Sequence, residues 1–251
     1  MIRTLAVLLV LALGMRLAFF AGLRGSDDLQ YFAQAKSHAA GAPLMPKDMA
    51  FGNLSDRRPA FPEAISAAIL TAGEVSEAAL MAYPMACSLA LVALLYLAAR
   101  RWIGEPAAWA AGLVAAVLPG FVLSGSSLYP DLPVTLWTTV SLVLFWGAPG
   151  WGGWARPAAC AAGAAFALAA HHKETAFLLL PVLGCLALTA SRRRLAAWVL
   201  AGLAAGIAFG LGFGHYKALA RRVLVARVQC GRIADGRLLI WYTPVEDDRP
   251  K

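Results

Sequence analysis

Two adjacent carboxylates follow the first long apolar run of the chain. Asp27 and Asp28 stand in "GSDDLQYFAQA", directly after residues 4–23, which are long and apolar enough to cross a membrane. Carboxylates beside hydrocarbon are costly to desolvate, so we expect this pair in water, in a paired cluster or in a working site. The alternative is a helix that begins at Ser26, because acids in a first turn stabilise a helix without any chemistry.

Two adjacent arginines form the second candidate. Arg57 and Arg58 lie in "SDRRPAFPEAISAAIL", before a segment that changes from amphipathic to apolar and predicts a helix. Arginines at a membrane surface suit a phosphate or a lipid head group, because a guanidinium binds such anions through two parallel hydrogen bonds. The alternative is a solvated loop in which they pair with Asp56 or Glu63.

Two further polar segments lie where apolar runs begin or end. Asp131 stands in "YPDLP", where it can cap the next helix or act on a substrate. The segment "HHKET" holds His171, His172, Lys173 and Glu174, and such a group is costly at a membrane edge unless its members are satisfied. Lys173 can also be an interfacial lysine paired with Glu174. His171 and Glu174 can share a ligand, but adjacent histidines point apart on a helix, and we assign no metal.

The composition excludes a soluble protein. Of the 251 residues, 60% are hydrophobic and 14% are charged, against about 25% charged in an ordinary soluble domain. The formal net charge of +8 does not indicate nucleic acid, because the arginines cluster at the ends of apolar runs. Four cysteines lack CxxC spacing and are interpreted as small core residues: Cys87, Cys160, Cys185 and Cys230.

The elements that must position these groups are helices. We predict an all-α, polytopic transmembrane bundle of about seven spans, at residues 4–23, 80–99, 106–123, 134–146, 157–170, 176–190 and 195–213. Residues 24–79 form a long first loop with short helices of its own, one of them over "DDLQYFAQAKSHAAG", ended by Gly41. Arg16 interrupts the first run, which we interpret as an uncleaved helix, and must face other helices or reach the interface.

The distribution of basic residues predicts the orientation. With a cytoplasmic N-terminus, the inner joints hold one acid, Glu105, and seven arginines: Arg3, Arg100, Arg101, Arg156, Arg192, Arg193 and Arg194. The four polar segments described above then all fall on the extracytoplasmic side, which predicts one shared site. The basic tail after the seventh run conflicts with this rule, so either one short run fails to cross or the tail is atypical.

These motifs, in this order, resemble the membrane core of the GT-C glycosyltransferases. "DDLQYFAQA", "RRPAFPEAISAAIL", "SLYPDLPVTLW" and "LAAHHKETAFLLLP" are similar to the protein O-mannosyltransferase and aminoarabinose transferase type, over residues 3–214. The resemblance implies a transmembrane module at 1–214, with 24–79 as its first extracytoplasmic loop. Members generally continue with further helices, so the chain looks like a short or truncated member whose residues 215–251 form a basic tail.

The resemblance also implies a reaction and roles for residues. It implies inverting transfer of a sugar from a polyprenyl-phosphate donor to a lipid, glycan or protein acceptor. The acid that acts on the acceptor maps onto Asp27, with Asp28 beside it, and Asp131 matches the second family acid. Arg58 and Lys173 map onto the positions that meet the donor phosphate, with Arg57 next to Arg58. Some relatives bind a divalent cation near these acids, and the sequence does not decide this.

The partners implied are the lipid-linked donor and membrane lipids, in the cell envelope and at a bacterial inner membrane. A small transporter or flippase is one rival, although it should show an inverted repeat with broken helices at midplane, whereas these polar groups lie at an edge. An inactive membrane fragment is the other rival. It predicts that replacing Asp27 or Asp131 changes only stability.

Overall fold

The chain folds as a bundle of helices. The computed structural model describes residues 2–20, 60–220, 226–232 and 238–244, with positions 23, 28, 31, 32, 34, 35, 39 and 58. The helices are α1 (Ile2–Ala18), α2 (Ala60–Ala72), α3 (Glu77–Trp102), α4 (Glu105–Val117), α5 (Pro119–Gly125), α6 (Asp131–Gly147), α7 (Ala155–His172), α8 (Leu180–Leu188), α9 (Ala190–Arg193) and α10 (Ala196–Ala220). The all-α prediction is confirmed for this bundle, and α2 is the helix predicted after the two arginines.

The tail adds an element that was not predicted. Strands β1 (Ala226–Arg232) and β2 (Leu238–Pro244) pair antiparallel, with Ala226 opposite Pro244 and Arg232 opposite Leu238. The predicted helix ending at Gly41 lies mostly outside the described residues, as do Ser26 and Asp56.

Membrane-spanning length is found in fewer helices than predicted. In the part of the chain that the structure describes, three helices are long and apolar enough to cross a bilayer: Glu77–Trp102, Asp131–Gly150 and Ser191–Gly210. Helices α4 and α5 make a fourth span if taken together, although they are bent by 54°. The count of seven is therefore not confirmed, since α1 has 17 residues and Glu174–Leu188 is a shorter apolar segment.

One end of the bundle is basic and aromatic. The rings of Trp102 and Trp146 lie 6.5 Å apart in an edge-to-face arrangement, which brings the last turns of α3 and α6 together. The Arg192 guanidinium lies 4.4 Å from the Trp146 ring centroid, and that of Arg156 lies 5.9 Å from the Trp198 ring. Tryptophan at a bilayer interface beside clustered arginine is the pattern of an interfacial belt. We call this the belt end.

Helix α7 is the centre of the second half of the bundle because its side chains are small. Its sequence, "ARPAACAAGAAFALAAHH", lets α6 and α10 pack closely on either side. A Cβ atom at Gly163 would overlap the Val199 carbonyl of α10, and one at Gly202 would overlap the backbone of Cys160. Helices in membranes associate through such small residues. The hydrophobic effect does not drive helices together in lipid, so close van der Waals packing of the backbones has to do so.

Arg16 is buried between helices and does not reach the interface. It is 0% exposed and donates to the Ser88 hydroxyl, to the Ala12 carbonyl of its own helix and to the carbonyls of Ala115 and Ala116. The carbonyls of Ala115 and Ala116 lie at the end of α4, where the helix breaks before Pro119. Proline has no N–H to donate to the carbonyl four residues earlier, so Arg16 supplies hydrogen-bond donors there instead. The interfacial interpretation of Arg16 is wrong, because its charge caps a broken helix.

The cysteines behave differently from one another. Cys87 is buried and Cys160 is half-buried, which agrees with a packing role, whereas Cys185 is exposed on α8 and is not a core residue. None of these three cysteines forms a disulfide. The side chain of Cys230 lies outside the described part of the chain.

Candidate active site

Arg58 and Glu174 form a two-pronged ion pair at the end of the bundle opposite the belt. Arg58 Nε donates to Glu174 Oε2 at 2.9 Å, and a terminal nitrogen donates to Oε1 at 2.7 Å. The other terminal nitrogen donates to the Tyr31 hydroxyl at 2.8 Å. The hydrogen bonds from Arg58 lower the pKa of Glu174 to about 2, and the carboxylate in turn raises the pKa of Arg58. Arg58 thus pairs with Glu174, a partner the sequence alternatives did not include.

Lys173 and Asp131 form a second ion pair beside the first. Lys173 Nζ donates to Asp131 Oδ1 at 2.6 Å. Helix α7 ends at His172, and Lys173 adopts an extended backbone with φ −164° and ψ 138° before a short 3₁₀ segment begins at Glu174. The neighbouring side chains of Lys173 and Glu174 therefore reach different partners instead of each other.

Asp131 does not cap its helix through its side chain. The residue at the N-cap of α6 is Pro130, and no side chain there accepts a capping hydrogen bond. Asp131 instead lies in the first turn, where the helix dipole favours an acid, and its carboxylate holds Lys173. The capping interpretation of this residue is therefore wrong.

A hydrogen-bonded chain of three side chains, the half-buried Trp137 and Tyr83 and the buried His172, lies next to these ion pairs. Trp137 Nε1 donates to the Tyr83 hydroxyl at 3.2 Å, which lies 2.7 Å from His172 Nε2. His172 Nδ1 lies 2.8 Å from the Leu168 carbonyl. A carbonyl can only accept, so Nδ1 carries a proton, and in the neutral ring Nε2 accepts from Tyr83. The hydrogen bonds run in one direction from α6 through α3 to α7.

An aromatic cluster joins this chain to Arg58. The Phe61 ring lies 4.9 Å from the Tyr31 ring, edge-to-face, and 6.3 Å from the Tyr83 ring. The ring of Tyr83 stacks on that of His172, with centroids 5.7 Å apart. The end of α7 is thus fixed against α2 and α3, which holds Lys173 and Glu174 where they meet their partners.

The remaining predicted residues have separate positions. Asp28 is buried, and Asp27 and Arg57 lie outside the described residues. Tyr31 follows Asp28 by three residues, so its hydrogen bond with Arg58 links the acidic segment to the arginine segment. His171 points to α10, where its Nε2 lies 3.4 Å from the Gly206 carbonyl.

These positions do not make a metal site. Among the described residues, no three His, Cys, Asp or Glu side chains lie close enough together to hold a metal ion. His171 faces α10 whereas Glu174 faces Arg58, and both carboxylates of the ion pairs are engaged by cations. The described residues therefore do not fit a divalent cation.

Comparison with known proteins decides the family. The family model described as "Dolichyl-phosphate-mannose-protein mannosyltransferase" matches residues 57–211, which is more than half of the chain. The chain belongs to this family. It is a membrane glycosyltransferase of the mannosyltransferase kind, and its helical bundle agrees with the GT-C type that the sequence resembles. No curated protein and no solved structure gives a significant match.

The segment matched by the mannosyltransferase family contains both ion pairs. Arg58, Asp131, Lys173 and Glu174 all lie within residues 57–211, whereas Asp27 and Asp28 precede them. Sequence reasoning missed three side chains that complete the site: Tyr31, Tyr83 and Trp137. The signal was their residue type, because a tyrosine or tryptophan packed into a core usually needs a hydrogen-bond partner for its polar end.

Proposed function

We propose that this protein transfers a sugar from a polyprenyl-phosphate donor to an acceptor at the extracytoplasmic face of the membrane. The observation that carries the proposal is the pairing of Arg58 and Lys173 with acids at one end of the bundle, within the family segment. Two cations held at one site can stabilise the charge that grows on a lipid phosphate as its sugar leaves.

The reaction assigned to these groups is a single displacement. An acceptor hydroxyl or amine attacks the anomeric carbon, and the bond from that carbon to the phosphate oxygen breaks, leaving its electron pair on the phosphate. Arg58 and Lys173 stabilise the phosphate charge that grows as the sugar leaves. Asp27, with Asp28 beside it, takes or orients the acceptor proton, and Asp131 positions Lys173. Inversion at the anomeric carbon follows.

The belt end supports the proposed side of the membrane. Arg100, Arg101, Arg156 and Arg192 belong to helix ends that meet there, opposite the ion pairs. Because arginines accumulate in cytoplasmic joints, this end is assigned to the cytoplasm and the paired acids to the outer face.

The test is transfer from a panel of polyprenyl-phosphate sugars in membranes that contain the native chain. Asp27→Asn should abolish transfer, and Arg58→Lys should reduce kcat/KM by roughly tenfold or more, since a lysine cannot reproduce hydrogen bonds of about 1.5–3 kcal/mol to a charged group. Arg101→Lys, at the belt end, is the matched control and should leave transfer unchanged. Equal transfer by all four proteins, at matched expression, would refute the assigned roles. No transfer by the native chain from any donor would contradict the proposed function.

A further inference from the structure

The phosphate-binding edge of Arg58 is already occupied by a carboxylate. Glu174 accepts hydrogen bonds from Nε and from one terminal nitrogen, which is the pair of donors that a guanidinium presents to a phosphate. The remaining terminal nitrogen is held by Tyr31. These bonds use three of the five guanidinium N–H groups. A phosphate that binds through the edge formed by Nε and its neighbouring terminal nitrogen must therefore replace Glu174.

The positions of the two partners differ in a way that favours this replacement. The Arg58 side chain is 15% exposed and fixed by Tyr31, whereas that of Glu174 is 54% exposed. Glu174 also begins a 3₁₀ segment directly after the extended Lys173, where α7 has ended. Because the Glu174 carboxylate is the exposed partner, it regains water when it leaves Arg58, which offsets part of the cost of breaking the pair.

We propose that Glu174 is a built-in competitor that occupies Arg58 until the phosphate of the lipid donor displaces it. This inference rests on the proposed function. With the donor absent, Glu174 and Asp131 balance the charges of Arg58 and Lys173. When the phosphate binds, the Glu174 carboxylate is released to water. Arg58 then makes its two parallel hydrogen bonds to the phosphate instead of to the carboxylate. The site gains selectivity, because an anion that cannot make two parallel hydrogen bonds does not displace the carboxylate.

The experiment measures binding of a polyprenyl phosphate without sugar to the full chain in nanodiscs of zwitterionic lipid. Glu174→Gln should bind the probe about two- to fivefold more tightly than the native chain, the range expected for losing a competing exposed ion pair. Glu74→Gln is the matched control, because Glu74 is an exposed acid in the turn between α2 and α3. It removes the same charge and should not change affinity. In an Arg58→Gln background, adding Glu174→Gln should have no further effect.

Three outcomes overturn the inference or its premise. Equal affinity of the native chain and Glu174→Gln shows that the carboxylate does not compete, although the proposed function then stands. Weaker binding by Glu174→Gln shows that Glu174 orients Arg58 for the phosphate, the reverse of competition. If neither the native chain nor any variant binds the probe, the proposed function itself fails.

Discussion

The two carboxylate oxygens of Glu174 lie 2.9 and 2.7 Å from two nitrogens of Arg58, although the residues are 116 positions apart. This pair ties the end of α7 to the segment that leads into α2. It is a tertiary contact, so it exists only in the folded chain and makes stability depend on pH.

The pH dependence has a defined direction. The pKa of Glu174 falls from an ordinary value of 4.5 to about 2 in the folded chain. The stability contributed by the ionised carboxylate is therefore complete above pH about 4.5 and is lost as the pH falls towards about 2. Thermal unfolding in detergent should show the native chain more stable than Glu174→Gln at neutral pH. The difference should narrow over this acidic range, and a difference independent of pH would contradict the pair.

The Lys173–Asp131 pair should show a small but specific coupling. The side chains are 22% and 50% exposed, so we expect a coupling free energy of about 0.2–1 kcal/mol in a double-mutant cycle of Lys173→Met and Asp131→Asn. Unfolding in increasing salt should reduce it, because exposed charges are screened. The cycle of Lys173→Met with Glu174→Gln is the comparison. It should be additive, and a larger coupling there would mean that Lys173 pairs with its neighbour instead.

Removing the single oxygen atom of the Tyr83 hydroxyl should lower the unfolding free energy noticeably. In Tyr83→Phe, the buried His172 Nε2 loses its donor and the half-buried Trp137 Nε1 loses its acceptor, which costs about 1–3 kcal/mol of unfolding free energy. The double variant Tyr83→Phe, His172→Phe should be destabilised by less than the sum of the single variants, since an apolar pair leaves fewer unsatisfied groups. Additive losses in denaturant unfolding would show that the two residues are not coupled.

The packing of α7 on α10 should not tolerate one added methyl group. A Cβ atom at Gly202 would lie 2.7 Å from the Cys160 carbonyl carbon, so Gly202→Ala should destabilise the chain by about 1–3 kcal/mol. Gly14→Ala is the matched control, because nothing lies within 4 Å of a Cβ there and alanine is the better helix former. Unfolding of both variants in detergent checks this. A Gly202→Ala chain as stable as Gly14→Ala would contradict the close contact.

Sequence alone predicted an all-helical bundle, and it predicted that Arg58, Asp131 and Lys173 share an end, whereas the predicted number of spans is not confirmed. Long apolar runs fix helices in a membrane, and alternation of basic joints fixes which ends meet. That is why Arg58, Asp131 and Lys173 could be grouped although they come from distant segments. Which acid pairs with which cation could not be predicted. The pairing depends on the rotation of each helix about its axis and on the extended backbone at Lys173, and residue spacing gives neither of these.

Other features were present in the sequence but were not recognised. Pro119 follows Leu118 in the third apolar run and breaks it into α4 and α5. Gly202, Gly206 and Gly210 recur every fourth residue, which is the pattern of a close helix–helix contact. Which side of an apolar helix is exposed is harder to predict, as Cys185 shows, because an apolar run has no polar face to mark its outer side.

The contacts of Arg16 have a consequence for how the chain enters the membrane during synthesis. Ser88 is made 72 residues after Arg16, and Ala116 is made 100 residues after it. Until these partners arrive, α1 carries a cation that costs about 2.5–3.5 kcal/mol at the centre of a bilayer. We therefore expect α1 to wait near the interface or beside the insertion machinery, and to reach its final depth only after the break between α4 and α5 has been translated.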